Sequence, residues 1–166
     1  MYRPGHYGAA LLAYAPLGFA LLSFDLPGLA VLGGALSLAL APVPDLDQRI
    51  PLIRHRGVTH TLLFALVVGG VLGAVGWVAG TGAGVETARR LAAFGGVVGT
   101  VAILSHLLAD VITPMGITPF WPLSRRNYTL RLARADNAIA NYLLLALGVF
   151  AVALVVSVSR PALPPA

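Results

Sequence analysis

The stretch Leu91-Ala92-Ala93-Phe94-Gly95-Gly96-Val97-Val98-Gly99-Thr100-Val101-Ala102-Ile103-Leu104-Ser105-His106-Leu107-Leu108-Ala109-Asp110-Val111-Ile112 decides how this chain folds. It carries no charged residue before Asp110, and it has the length a bilayer-crossing helix needs, about 20 mostly apolar residues. Four other stretches read the same way: Tyr7–Phe24, Leu26–Ala41, Thr59–Gly80 and Ala138–Val158. The chain as a whole agrees. It is 58% hydrophobic and 10% charged, whereas soluble domains carry about a quarter charged residues. Its mean hydropathy is +0.86. The sequence therefore predicts an all-α, multi-pass transmembrane bundle of five spans. The number is four if the short second stretch, tilted or buried in the bundle, is not counted.

These spans form one integral-membrane domain over residues 1–158, with a Pro-rich disordered tail at 159–166. Asp25-Leu26-Pro27 reads as a tight turn between the first two spans. Arg3, an apolar run and Ala13-Tyr14-Ala15 superficially resemble a signal peptide, but the run before that site is too short for cleavage to be expected. Gly69-x-x-x-Gly73 and Gly95-x-x-x-Gly99 predict close approach of the third and fourth spans, because small residues at this spacing let membrane helices meet.

All eleven basic residues are arginine, and there is no cysteine. Lysine-dependent phosphate loops and Schiff bases are excluded, as are disulfides and thiolate ligands. The pI near 10.5 would suggest nucleic acid in a soluble protein. Here the arginines flank membrane spans instead, and no nucleic-acid partner is expected. Five spans put Arg3, Arg49, Arg54, Arg56, Arg125, Arg126, Arg131 and Arg134 on one side, against Arg89, Arg90 and Arg160 on the other. The positive-inside rule makes the richer side cytoplasmic.

The polar residues gather on that same side. His6 precedes the first span. Asp45 and Asp47 follow the second, in Pro44-Asp45-Leu46-Asp47. His55 and His60 stand where the third begins, in His55-Arg56-Gly57-Val58-Thr59-His60. His106 and Asp110 end the fourth. They are four residues apart and so share one helix face. An extended backbone would turn Asp45 and Asp47 to one side of their loop.

Taken singly, these residues have plain readings. His60 would be an interfacial residue, Asp45 and Asp47 turn or cap acids, and His106–Asp110 a buried hydrogen-bonded pair. Together they read as a metal site, since ionisable groups in a membrane helix are costly without a partner. Nitrogen and oxygen donors without sulfur suit Zn, Mn, Fe or Mg according to geometry. Asp47 or His55 could take a proton or orient a ligand. Arg54, Arg56, Arg125 and Arg126 could grip a phosphate or carboxylate, or sit beside anionic headgroups. Trp121 and Tyr128 read as interfacial anchors.

The ordered set of Pro44–Asp47, His55–Leu63, Ser105–Gly116, Pro119–Pro122 and Arg125-Arg126 resembles the YdjM-type family, described as LexA-regulated, membrane-bound, metal-dependent hydrolases. The resemblance runs from His6 to about Leu130. It implies a helical membrane protein of the prokaryotic cytoplasmic membrane with hydrolase activity. It maps the family's ligand positions onto His6, Asp45, His60, His106 and Asp110. It also implies a distant likeness to zinc-dependent phospholipase C and P1 nuclease, and zinc is the favoured metal. Many relatives have a glutamate in the last helix, where this chain has asparagine within Asp136-Asn137-Ala138-Ile139-Ala140-Asn141. The expected activity is attack of metal-activated water on a phosphoester or lipid-like substrate, such as a phospholipid, near the cytoplasmic face. The alternatives are a small transporter or ion-binding protein, and a scaffold with a structural metal. A serine hydrolase is not expected, because no Gly-x-Ser-x-Gly elbow is present.

Overall fold

The computed structural model describes residues 1–51 and 54–159. Leu52, Ile53 and 160–166 lie outside the described residues, and with them Arg160 and all of the expected tail but Ser159. The described chain is helical: α1 (Arg3–Ser23), α2 (Pro27–Leu40), α3 (Leu62–Gly80), α4 (Val85–Val111) and α5 (Ala138–Val158). Short 3-10 turns cover Pro44–Arg49, Val58–His60 and Thr81–Ala83. Among the described residues there is no strand, only one antiparallel bridge, Ile117 to Tyr128.

Five segments are long and apolar enough to cross a membrane. Helices suit this solvent because they satisfy their own backbone groups, which lipid cannot do. The lipid-facing sides are apolar: Leu66, Val71 and Val78 on α3, and Leu143, Phe150 and Leu154 on α5, are exposed. The second span resolves a doubt about length. The helix α2 alone has 14 residues, about 21 Å at 1.5 Å per residue, but with the following 3-10 turn the segment runs Pro27–Arg49.

Two boundaries differ from expectation. Pro4 stands in the first turn of α1, where its missing N–H costs nothing, and the helix starts at Arg3. His6 is therefore inside α1, not ahead of it. The fourth helix starts at Val85 because Glu86 pairs with Arg89 and Arg90 one turn on, at the end nearest water. Aspartate at position 25 takes the left-handed conformation in the turn from α1 to α2.

Helix α3 packs on α4, α1 on α5, and α1 and α2 both meet α4. The close approach expected of the glycine motifs is present. A Cβ on Gly95 would collide with the Leu72 carbonyl, and one on Gly69 with Thr100 Oγ1. Gly8 and Gly148 make a second such contact between α1 and α5. This up-and-down order brings the start of α1, the end of α2, the start of α3, the end of α4 and the start of α5 to one end of the bundle.

Candidate metal centre

His106 and Asp110 stand on the last turns of α4 and are fully buried. Between them, Leu107 packs with Ala65, Ile103 and Ile117 in the core, while Leu108 turns outward. His60 reaches the same point from the turn before α3. Thr61 fixes that turn: its hydroxyl accepts from Phe64 N at 3.1 Å and donates to Val58 O at 2.7 Å. Leu62 N also donates to Pro119 O. His6 comes from α1 and stacks on His106, with ring centroids 3.7 Å apart. Asp45 and Asp47 come from the 3-10 turn after α2.

That turn overturns one expectation. The backbone is helical rather than extended, so the two carboxylates diverge. Asp45 Oδ1 lies 3.6 Å from His60 Nε2, and Asp47 Oδ2 lies 3.4 Å from the opposite ring nitrogen, Nδ1. Asp47 is buried and accepts from His55 Nδ1 at 2.9 Å, Arg56 N at 3.1 Å and Thr59 Oγ1 at 2.7 Å.

Four donor atoms then face one another: His60 Nε2, His106 Nε2, Asp45 Oδ1 and Asp110 Oδ2. The two imidazole nitrogens are 3.2 Å apart. Asp110 Oδ2 is 3.3 Å from His60 and 3.5 Å from His106. Asp45 Oδ1 is 3.6 Å from each histidine. Tetrahedral ligands at roughly 2.1 Å from zinc stand ~3.4 Å from each other. The five spacings above, 3.2–3.6 Å, are of the size a coordination shell would need.

The hydrogen bonds orient these donors inward. His106 Nδ1 donates to Ala41 O at 2.7 Å, which leaves Nε2 with a free lone pair. His60 Nδ1 lies 3.0 Å from Thr59 Oγ1, whose own proton goes to Asp47, so His60 Nε2 is free as well. Such outer contacts commonly set the tautomer of metal-binding histidines. His6 Nδ1 and Nε2 and Asp110 Oδ2 are buried without any hydrogen-bond partner. Buried polar atoms are rarely left so, and a cation would satisfy them. The residues therefore fit a divalent metal, with His6 Nε2, 3.7 Å from both Asp45 Oδ2 and Asp110 Oδ1, on the flank. Burial disfavours charge on His60, but the surrounding carboxylates of Asp110, Asp45 and Asp47 outweigh it and raise its pKa above the ordinary value.

Arg56 departs from its expected place. Its guanidinium is almost wholly buried and donates to Asp110 Oδ1 at 2.7 Å, Thr113 Oγ1 at 2.9 Å and Gly116 O at 3.1 Å. The Met1 amino group also lies against Asp110 Oδ1. One oxygen of Asp110 is thus committed to cations of the chain, and the other faces the cluster. Arg56 itself is left-handed, at φ 59°, a strained conformation held by these bonds. Gly116 has φ 62°, and a Cβ there would strike Asn127 and Tyr128.

Two cavities open beside the cluster. One, ≈ 700 Å³, is lined by Arg54, His55, Arg56, Trp121, Arg125 and Asn127, among others. The other, ≈ 750 Å³, is lined by Arg3, Asp45, Gln48, Arg49, His55 and Arg56, among others. Trp121 and Arg125 thus share a cavity, whereas Arg126 sits over the Tyr128 ring at 5.4 Å. Ser105 Oγ donates to Ala102 O within its own helix and does not serve as a nucleophile in this arrangement.

Sequence reasoning missed several participants. Thr59 and Thr113 have no signal beyond proximity to histidine and aspartate. In the sequence, Arg3 and Arg49 carry a signal only for sidedness. Asn141 is buried and accepts from Tyr2 N at 3.0 Å while donating to Ala135 O and Asn137 O. It holds the start of the chain rather than facing the cluster.

No curated protein and no solved structure matches this chain. The family model described as YdjM inner membrane protein matches residues 1–163. With five apolar spans and a buried histidine–aspartate cluster at one end of them, the chain belongs to the YdjM inner membrane protein family and is an integral protein of the inner membrane.

Proposed function

We propose that this protein is a membrane-embedded, metal-dependent hydrolase acting on a phosphoester or lipid-like substrate at the cytoplasmic face. The observation that carries the reading is a set of mutually facing donors, His60 Nε2, His106 Nε2, Asp45 Oδ1 and Asp110 Oδ2, the last of them buried without a hydrogen-bond partner. His6, Asp45, His60, His106 and Asp110 would hold a divalent cation, zinc being favoured by the near-tetrahedral spacing. Such a cation supplies a Lewis acid and lowers the pKa of water toward neutrality.

The chain's own residues do the rest. Asp47, saturated by three donors, orients the His55 ring through Nδ1. His55 is 35% exposed and lines both cavities, so it is the group able to exchange a proton with solvent. Among the described residues, Arg54 and Arg125 have no carboxylate partner in the Arg54–Arg125 cavity, and they offer paired hydrogen bonds to an anionic substrate. Arg56 holds one oxygen of Asp110 at 2.7 Å and leaves the other facing the cluster.

A transporter site tends to the bilayer midplane, and this cluster lies at helix ends. A purely structural metal would favour a closed shell, whereas Asp45 remains 23% exposed at the wall of a cavity. The test is hydrolysis of a chromogenic phosphodiester by zinc- or manganese-loaded protein in dodecyl maltoside. Wild type should hydrolyse it, and His106→Ala and Asp110→Ala should not. Equal rates in all three would end the hydrolase reading.

A further inference from the structure

The two cavities are not equivalent. Of the five candidate ligands, Asp45 alone lines either of these two cavities, and it lines that of Arg3 and Arg49. The cavity of Arg54 and Arg125 is lined by none of the five. The cavities share His55, Arg56 and Met115, so they lie side by side. The Arg3–Arg49 cavity is thus the one of the two that brings a reacting group beside Asp45.

That approach is strongly cationic. Among the described residues, arginine–carboxylate pairs involve only Arg56, Arg89, Arg90 and Arg134. Arg3 and Arg49 are both exposed and have no carboxylate partner. They come from different elements, the first residue of α1 and the last of the 3-10 turn that carries Asp45. No side chain caps the start of α1, so its helix dipole adds positive potential at the same wall. Arg56 lines this cavity with a buried, unpartnered Nε. Among the described residues, the only acid on the wall is Asp45, and it faces the cluster.

We propose that Arg3 and Arg49 form the cradle that holds the reacting phosphate of the substrate beside Asp45, while the Arg54–Arg125 cavity takes the remainder of the molecule. This rests on reading the cluster as a hydrolytic metal site. The ligand chemistry is a phosphomonoester or phosphodiester group, carried by a lipid headgroup or by a water-soluble ester. Two guanidinium groups on opposing elements can close on the oxygens of such a group as bidentate donors.

The experiment is calorimetric titration of full-length protein in dodecyl maltoside with inorganic phosphate, glycerol 3-phosphate and dihexanoyl phosphatidic acid, each with and without zinc. The double variant Arg3→Gln, Arg49→Gln should raise the dissociation constant for all three by roughly tenfold or more. Its zinc content and thermal midpoint should match wild type. The double variant Arg89→Gln, Arg90→Gln, at the far end of the bundle, removes the same charge and should change binding by less than about twofold. Tighter binding of phosphatidic acid than of glycerol 3-phosphate assigns the group to a lipid; equal binding assigns it to a soluble ester. Unchanged phosphate binding in the folded double variant overturns the cradle. If wild type holds no metal, the hydrolase reading fails by itself. Loss of phosphate binding in the metal-free double variant would still support the cradle.

Discussion

His60 Nε2 lies 3.2 Å from His106 Nε2, in the buried end of a membrane bundle, with each ring's other nitrogen committed to an oxygen. Two lone pairs so placed repel unless a cation or a proton stands between them. The raised pKa of His60 expresses the proton alternative.

Metal binding should therefore depend on pH in a defined direction. A bound cation needs neutral imidazole, so protons compete for His60. Affinity for zinc should fall as pH drops through the raised pKa of His60, beginning above its ordinary value of 6.5. The slope should be about tenfold per pH unit for one proton released. The metal-free protein should behave oppositely. A raised folded pKa gives stability that is complete below the unfolded value and lost as pH rises through the folded one. Zinc titrations and thermal unfolding between acidic and mildly alkaline pH would check both arms.

Arg56→Met should separate structural from substrate roles. Removing one partner of a buried ion pair costs about 3–5 kcal/mol. The remaining charge of Asp110 is compensated when a cation is present. The loss of thermal midpoint should thus be larger in chelator-treated protein than in zinc-loaded protein. Equal losses would show that Asp110 does not face the metal.

Asp47 and His55 should differ in what they damage. Asp47→Asn puts an amide NH2 among three donors, and destabilisation of about 2–3 kcal/mol is expected. His55→Ala, at a partly exposed position, should leave the thermal midpoint nearly unchanged and zinc still bound, yet lower the hydrolytic rate by roughly 100-fold. Small, equal effects of both substitutions on rate would remove the pair from the chemistry.

Gly95→Leu tests the frame that carries His106 and Asp110. The new side chain has to displace the Leu72 backbone. Overpacking of this kind costs about 1–3 kcal/mol or more. Unfolding in mixed micelles should show it, and metal retention should fall with it.

What could be read from the chain follows from where local rules suffice. Hydropathy locates spans, and the four-residue step from His106 to Asp110 gives a shared face in any helix. The common face of His6, Asp45 and His60 followed from counting spans. Local pattern could not show that Pro44–Arg49 winds into a 3-10 turn, because the extended and helical forms of Asp45-Leu46-Asp47 differ only through contacts made elsewhere. Nor could it tell Arg56, buried on Asp110, from Arg54, which is exposed. An arginine next to a membrane span has the same local signature in both roles. The helix starts at Arg3 and Val85 were obscured because polar and charged residues open both helices.

The central claim is that these donors hold a metal, and elemental analysis of purified protein tests it most directly. After incubation with zinc and desalting, wild type should retain about one ion or more per chain. His106→Ala and Asp110→Ala should retain almost none while still folded. Wild type and both variants retaining equally little zinc, manganese, iron and magnesium would contradict the account.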